Sequence, residues 1–272
     1  MKPVSLLRRG DYSLEWVKDF YTQSDIWWGA DAGEEYYPRR IQAIERLCGQ
    51  GLKRILELGA GSGAVAAEMA KLGHFVVAVE LTSAIRPAQE LSQKDWKGSL
   101  TALEGDFYTV ELDGCFDVVC YWDGFGLGSD SYQRRLLQRI SREWLNPGGS
   151  VLIDVFSPVR FARHAEVSEI LPPLTGVPGS VEMLHTCHFD PLQCRWIDEW
   201  QPTADPSKAL AQTIRCYTPA DFALLLGNTG LTIHRIEVDG ESVDLAANSI
   251  TISGPLMEAY SYLVQLIADR SQ

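Results

Sequence analysis

The stretch Ile55-Leu-Glu-Leu-Gly-Ala-Gly-Ser-Gly63 decides the fold. A short apolar run carrying Glu57 meets a glycine-rich turn, and Ala64 to Leu72 then reads as a helix closed by Gly73. Glycines there permit a tight turn and a close approach of backbone to ligand. The free N–H groups at the start of the helix can receive a negatively charged group.

Outward from this unit the chain alternates. His74 to Glu80 reads as a buried strand, Pro87 to Trp96 as a helix, and Ser99 to Glu104 and Phe116 to Trp122 as two more strands. Tyr132 to Leu145 is an amphipathic helix with Leu136, Leu137, Ile140, Trp144 and Leu145 inward. The turn Asn146-Pro-Gly-Gly149 then leads to a strand over Ser150 to Phe156. Alternation with short connections predicts an α/β fold, a parallel sheet with right-handed crossovers and helices on both faces. Residues 11–50 read as helical and rich in aromatic residues, including Trp27 and Trp28. Tyr37 to Cys48 is a helix with Pro38 in its first turn and Ile41, Ile44, Leu47 and Cys48 on one face.

Residues 157–215 break the rhythm. Two alternating runs, Val181 to Phe189 and Cys194 to Trp200, flank Asp190-Pro-Leu-Gln193 and predict an antiparallel hairpin. Thr218-Pro-Ala-Asp221 opens another helix, Leu231 to Val238 is a strand, and Tyr260 to Ala268 is a last strand or a helix. The expected organisation is an N-terminal helical lid over 1–50 and a binding core over 51–156. An antiparallel insertion over 157–215 covers the substrate, and 216–272 completes the core.

Taken alone, the glycine turn is ambiguous. Gly59-Ala-Gly-Ser-Gly-Ala64 also satisfies the G-x-G-x-x-A form of the dinucleotide fingerprint, with Glu80 at a distance suited to a ribose. A nicotinamide-dependent oxidoreductase is therefore an alternative, and a purely structural turn is another. Three further features stand in order: Ala78-Val-Glu80, Glu104-Gly-Asp106-Phe107 and Leu145-Asn-Pro-Gly-Gly149. Together with Ile55–Gly63 they resemble the successive motifs of class I S-adenosylmethionine-dependent methyltransferases of the small-molecule type. The resemblance covers residues 36–156 well and continues weakly through Tyr217-Thr-Pro-Ala-Asp-Phe222.

The resemblance implies a doubly wound, mostly parallel seven-stranded sheet whose last strand is antiparallel, with S-adenosyl-L-methionine as the cofactor. It implies that Gly59, Ala60, Gly61, Gly63 and the loop backbone face the methionyl group and ribose, with Glu57 beneath the amino-acid moiety. Glu80 would accept the two ribose hydroxyls, since a carboxylate has two acceptor oxygens. Leu81 would pack on the adenine, Asp106 would accept from its exocyclic amine, and Phe107 would flank the ring. Trp122 and Asp123, after Tyr121, end the fourth strand, where ligands of open α/β sheets bind. Tyr36 and Tyr37 belong to a segment that often lids the cofactor in similar enzymes.

Methyl transfer is an in-line displacement that rests on positioning and exclusion of water, with a base needed only if the acceptor must lose a proton. No catalytic triad is expected. Candidates for a base or acceptor contact are His185, His188 and Tyr37, with Arg195 and Glu199 of the same standing. His185 and Cys187 share one face of a strand and His188 the other, which argues against a zinc site.

The chain has 272 residues and a formal net charge of -12, from 36 acidic and 24 basic residues. That balance repels a phosphate backbone and argues against nucleic acid as a partner. The cluster Arg134, Arg135 and Arg139 reads as a solvated helix face. No Asn/Asp-Pro-Pro-aromatic string of the amino-nucleic-acid methylases occurs; Tyr121-Trp-Asp-Gly124 stands in its place. A small-molecule acceptor and O-, N- or C-methylation are expected, with a homodimer allowed. A non-catalytic scaffold that keeps the fold is the non-enzyme alternative. Met1 to Trp16 lacks the apolar run of a secretory leader, and no stretch approaches the roughly 20 apolar residues of a membrane span. A cytoplasmic protein is expected, its six cysteines free thiols and mostly buried.

Overall fold

The computed structural model describes residues 12–29, 37–245 and 254–268. The decisive stretch forms β1 (Arg54–Leu58), the glycine turn and α3 (Ala64–Leu72), preceded by α1 (Val17–Trp28) and α2 (Tyr37–Cys48). Ile55, Leu56 and Leu58 are fully buried, as a strand covered on both faces requires. Ala66, Ala67 and Ala70 are small enough to bring α3 close onto the sheet. Gly73, at φ +109°, ends the helix and sends the chain into β2 (Phe75–Glu80).

The core continues through α4 (Arg86–Leu91), β3 (Ser99–Glu104), β4 (Phe116–Phe125), α5 (Asp130–Arg139), β5 (Leu145–Phe156) and α6 (Pro158–Arg163). An antiparallel unit follows: β6 (Val167–Leu171), β7 (Met183–Asp190), β8 (Arg195–Pro202) and β9 (Leu210–Arg215). The chain then returns through α7 (Pro219–Leu225), β10 (Leu231–Val238), β11 (Glu241–Ser242) and β12 (Ser261–Ala268).

The large sheet has the order β3-β2-β1-β4-β5-β12-β10-β11. Strands β1 to β5 run parallel, and β12 enters antiparallel between β5 and β10. The seven expected strands are present, and the two-residue β11 extends the edge to eight. Tyr260–Ala268 resolves as a strand because Val264 and Leu266 are buried between two neighbours. The order reverses between β1 and β4, so a crevice opens at their carboxyl ends. One face of the sheet is covered by α2, α3 and α4, and the other by α5 and α7.

Several local expectations change. The predicted hairpin is β7 and β8, but β6 and β9 widen it to a four-stranded sheet. Strand β5 starts at Leu145 because Leu145 already pairs with Phe116. The predicted turn survives as a register irregularity with Gly148 at φ +83°. Helix α5 gives way at Ile140 to a wider π turn that carries Trp144 into the core. The cluster on α5 is not a solvated face: Arg134 donates to Leu225 O, Arg135 to Tyr108 O, and Arg139 to Phe107 O and Val110 O. Thr218 and Asp221 form the expected cap of α7, each side chain accepting from the other's backbone N–H. The six cysteines are free; Cys120 and Cys216 are buried, whereas Cys115 is exposed. No helix among the described residues is long and apolar enough to cross a membrane.

Candidate functional site

A cavity of about 370 Å³ lies at the reversal point, a size within the usual range for small-molecule sites. Its floor is the glycine turn. Gly59, Gly61 and Gly63 sit at φ +62°, +54° and +73°, a left-handed conformation that side chains disfavour. Gly59 also packs against the Tyr121 ring, where an added Cβ would come within 3.0 Å. The turn is tied down by Ala60 N–H donating to Val79 O at 3.1 Å and Gly63 N–H to Ala60 O at 2.8 Å.

One wall is the end of β2. Glu80 is nearly buried, and its Oε2 accepts the Gly61 N–H at 3.1 Å. Its Oε1 accepts the Thr82 N–H at 2.9 Å and the Thr82 hydroxyl at 3.0 Å. Three donors thus occupy a carboxylate with about four acceptor sites, and the spare capacity faces the cavity. Leu81 follows on the same wall. Beside it, just past the neighbouring end of β3, Asp106 holds the Tyr108 N–H on Oδ1 at 2.7 Å, and Phe107 packs at 5.4 Å against Tyr121.

At the far end stand Trp122 and Asp123; the sequence reading ended the fourth strand there, but β4 runs on to Phe125. Asp123, at φ +54°, pairs with Arg40 of α2, whose guanidinium lies 5.7 Å from the Trp122 ring centre. Tyr37 lines the same end. The roof is α1, whose Val17, Lys18, Tyr21 and Asp25 face inward with Leu14.

Three cavity groups are buried polar atoms without a partner among the described residues: Glu57 Oε2, Ser62 Oγ and Trp122 Nε1. Buried polar groups are ordinarily satisfied by protein or by water, so these are the groups that a polar ligand entering the cavity would meet. Burial lifts the Glu57 carboxyl to about 8, against the smaller downward pull of Arg40 and the Ala66 amide. Asp25, half-buried and facing Glu80, is lifted to about 6.

Of the predicted residues, Glu57, Gly59, Ala60, Gly61, Glu80, Leu81, Asp106, Phe107, Trp122, Asp123 and Tyr37 all line this cavity. Gly63 does not; it faces Ala88 and Ile85, where α3 packs on α4. Tyr36 lies outside the described residues. His185 and His188 are not among the lining residues. His185 is held by Asp198 at 2.5 Å and Glu169 at 3.2 Å and stacks on Trp200. His188 bonds Glu166 at 2.8 Å and lies 3.6 Å from Glu199. Strand alternation puts the two histidines on opposite faces of the second sheet. Arg195 is buried and donates to Gly126 O and Gly128 O, fastening β8 to the loop after β4.

The sequence reading missed Arg40, Ser62, Thr82 and the α1 residues Tyr21 and Asp25. Ser62 stood within the motif; the others are ordinary polar positions whose place depends on how α1 and α2 dock.

Residues 55–149 match the family model of a methyltransferase domain. A protein of Geobacillus sp. (strain WCH70), provisionally named a methyltransferase, is 31% identical over 134 residues, covering 47% of this chain. The match takes in 51% of that protein, so the chain spans about half the length of the curated relative it matches. Among solved structures, the CcbJ methyltransferase from Streptomyces caelestis is similar with a TM-score of 0.68 at 19% identity, over 89% of this chain and 99% of that one. The glycopeptide N-methyltransferase MtfA in complex with S-adenosyl-L-methionine is similar with a TM-score of 0.54 at 18% identity, over 85% and 93% of the two chains. The chain thus has the class I methyltransferase fold, with the matched domain running from β1 into the start of β5.

Proposed function

We propose that this chain is an S-adenosylmethionine-dependent methyltransferase acting on a small molecule. The observation that carries the reading is the match between the unpartnered groups and a zwitterion. Glu57 Oε2 can accept an ammonium, while Ser62 Oγ and Trp122 Nε1 can donate to a carboxylate beside Arg40. Glu80 Oε2 would take a ribose hydroxyl. A second hydroxyl on Oε1 requires the Thr82 hydroxyl to turn to Asp25, 3.5 Å away. Leu81 and Phe107 would hold the adenine between them, with Asp106 Oδ2 open to its exocyclic amine.

Charge separates this reading from the nicotinamide one. Among the described lining residues are five acidic side chains, of Asp25, Glu57, Glu80, Asp106 and Asp123, and two cations, Lys18 and Arg40, so the acids outnumber the cations even with Glu57 protonated. A net acidic cavity suits a cofactor of net positive charge and repels a diphosphate. The bound cofactor would supply an electrophilic sulfonium methyl. The residues of the chain orient it, exclude water under α1, and fix the acceptor near the end of β4. The antiparallel sheet would serve as the cover, bracing α1 from behind through Tyr21–Gln212 and Trp28–Trp200. No residue is assigned as an obligatory base.

The test is turnover. With S-adenosylmethionine and an acceptor panel of amines, phenols, alcohols and thiols, S-adenosylhomocysteine should form only when an acceptor is present. Binding of the cofactor with no turnover on any acceptor would support the scaffold alternative.

A further inference from the structure

The inward face of α1 repeats at helical spacing, with Val17, Tyr21 and Asp25 one turn apart. The hydrogen-bond directions around Tyr21 are fixed from outside the cavity. Asp198 accepts from Trp200 Nε1 at 2.7 Å and from Gln212 Nε2 at 2.8 Å. A carboxylate donates nothing, so Gln212 must turn its amide nitrogen toward Asp198 and its Oε1 toward Tyr21. That oxygen accepts the Tyr21 hydroxyl at 3.1 Å. The single phenolic proton is therefore directed away from the cavity, and the oxygen can offer it only lone pairs. Burial and the carboxylates of Glu80, Asp198 and Asp25 hold the phenol well above its usual range, so it stays neutral.

Asp25, one turn on, adds a second acceptor. It has no Lys, Arg or His within ion-pair distance among the described residues, and its carboxylate meets the Thr82 hydroxyl at 3.5 Å. The two cavity cations are engaged elsewhere, Lys18 with Glu104 at 3.8 Å and Arg40 with Asp123. Leu14, Val17 and Leu127 supply apolar surface on the same side.

We propose that Tyr21 and Asp25 form a subsite for a protonated amine of the methyl acceptor, whose N–H groups meet two inward-facing acceptors while its carbon skeleton lies on Leu14, Val17 and Leu127. This rests on the methyltransferase reading and names its substrate class. A neutral alcohol satisfies one acceptor and leaves the charge of Asp25 uncompensated. An anionic acceptor is repelled. For the nitrogen to act as a nucleophile, one proton passes from the ammonium to the Asp25 carboxylate, giving an amine with a free lone pair and a carboxylic acid. The elevated proton affinity of Asp25 makes that transfer less uphill than it would be to an ordinary aspartate.

The experiment is calorimetric titration of the S-adenosylhomocysteine complex with benzylamine, 2-phenylethylamine and cyclohexylamine, each beside the alcohol of the same skeleton, near neutral pH. At least one amine should bind about tenfold or more tighter than its alcohol, the discrimination of a charge-assisted bond. Asp25→Asn should abolish that preference, and Tyr21→Phe should reduce it, with S-adenosylhomocysteine affinity changing much less than amine affinity because the amide oxygen can still accept the Thr82 hydroxyl. If no amine outdoes its alcohol, the subsite does not exist. If Asp25→Asn weakens S-adenosylhomocysteine as much as the amine, the carboxylate belongs to the cofactor and the proposal falls. Failure of S-adenosylhomocysteine to bind the wild type is read separately; it overturns the methyltransferase reading and the subsite with it.

Discussion

The Gly61 N–H donates to Glu80 Oε2 at 3.1 Å, so the glycine turn and the end of β2 form one unit. Two motifs 19 residues apart are thereby linked before any ligand arrives. Replacing Glu80 by Gln keeps the shape but leaves only one acceptor oxygen for the turn, Thr82 and the cavity. Glu80→Gln should fold normally and bind S-adenosylhomocysteine about tenfold more weakly, as read by titration.

Gly61 and Gly63 share a left-handed backbone but not an environment. A Cβ at Gly61 meets open space, whereas one at Gly63 runs into the Ala88 Cβ. Gly61→Ala should cost about 1–2 kcal/mol from backbone strain and should also impair cofactor binding. Gly63→Ala should cost more, about 2–4 kcal/mol, from strain plus overpacking between α3 and α4. Urea unfolding of the two variants checks the order.

Buried carboxyls give the ligand-free protein a defined pH dependence. Glu57 is raised to about 8, and Asp25 and Asp154 to about 6, chiefly by burial. A group with a raised folded pKa contributes stability that is full below its unfolded value and lost as pH rises through the folded one. Stability should therefore fall from about pH 4 to about pH 9, in a steep lower stage up to about 6, where all three groups contribute, and a shallower upper stage from about 6 to about 8, where Glu57 alone does. Glu57→Gln should remove the upper stage, stabilise the protein at alkaline pH, and weaken the cofactor. Urea titrations across this range measure it.

His185 makes the complementary case. Burial lowers its proton affinity, but Asp198 and Glu169 together outweigh burial and raise it. Its contribution is full below the ordinary histidine value and fades as pH rises through the folded one. His185→Ala should thus destabilise the protein more at pH 6 than at pH 9, while S-adenosylhomocysteine affinity changes little. A loss of cofactor affinity as large as that of Glu80→Gln would contradict its place outside the cavity.

The core was legible because its signals are local. Continuous apolar runs, three left-handed glycines and a capped α7 each dictate their own geometry, and their order dictates the sheet. The site residues in those motifs were legible for the same reason. Tyr21, Asp25 and Arg40 were not, because their roles depend on helices docking across the cavity from far along the chain. The antiparallel sheet was half legible: β7 and β8 alternate strongly, whereas β6 lies at an edge with Val167 and Ile170 exposed and lacks a clear apolar pattern. Arg139 shows the opposite failure, since a basic helix face looks solvated in sequence although four backbone oxygens, including that of Phe107, are bound by the α5 arginines.

The central claim is that this cavity takes S-adenosylmethionine, and the most direct measurement is calorimetric titration of S-adenosylmethionine, S-adenosylhomocysteine and NADH into the wild type and Glu80→Ala. The account predicts that the first two bind the wild type, that the substitution weakens both by about tenfold or more, and that NADH does not bind. NADH binding without either adenosyl ligand, or adenosyl binding indifferent to Glu80, would contradict it.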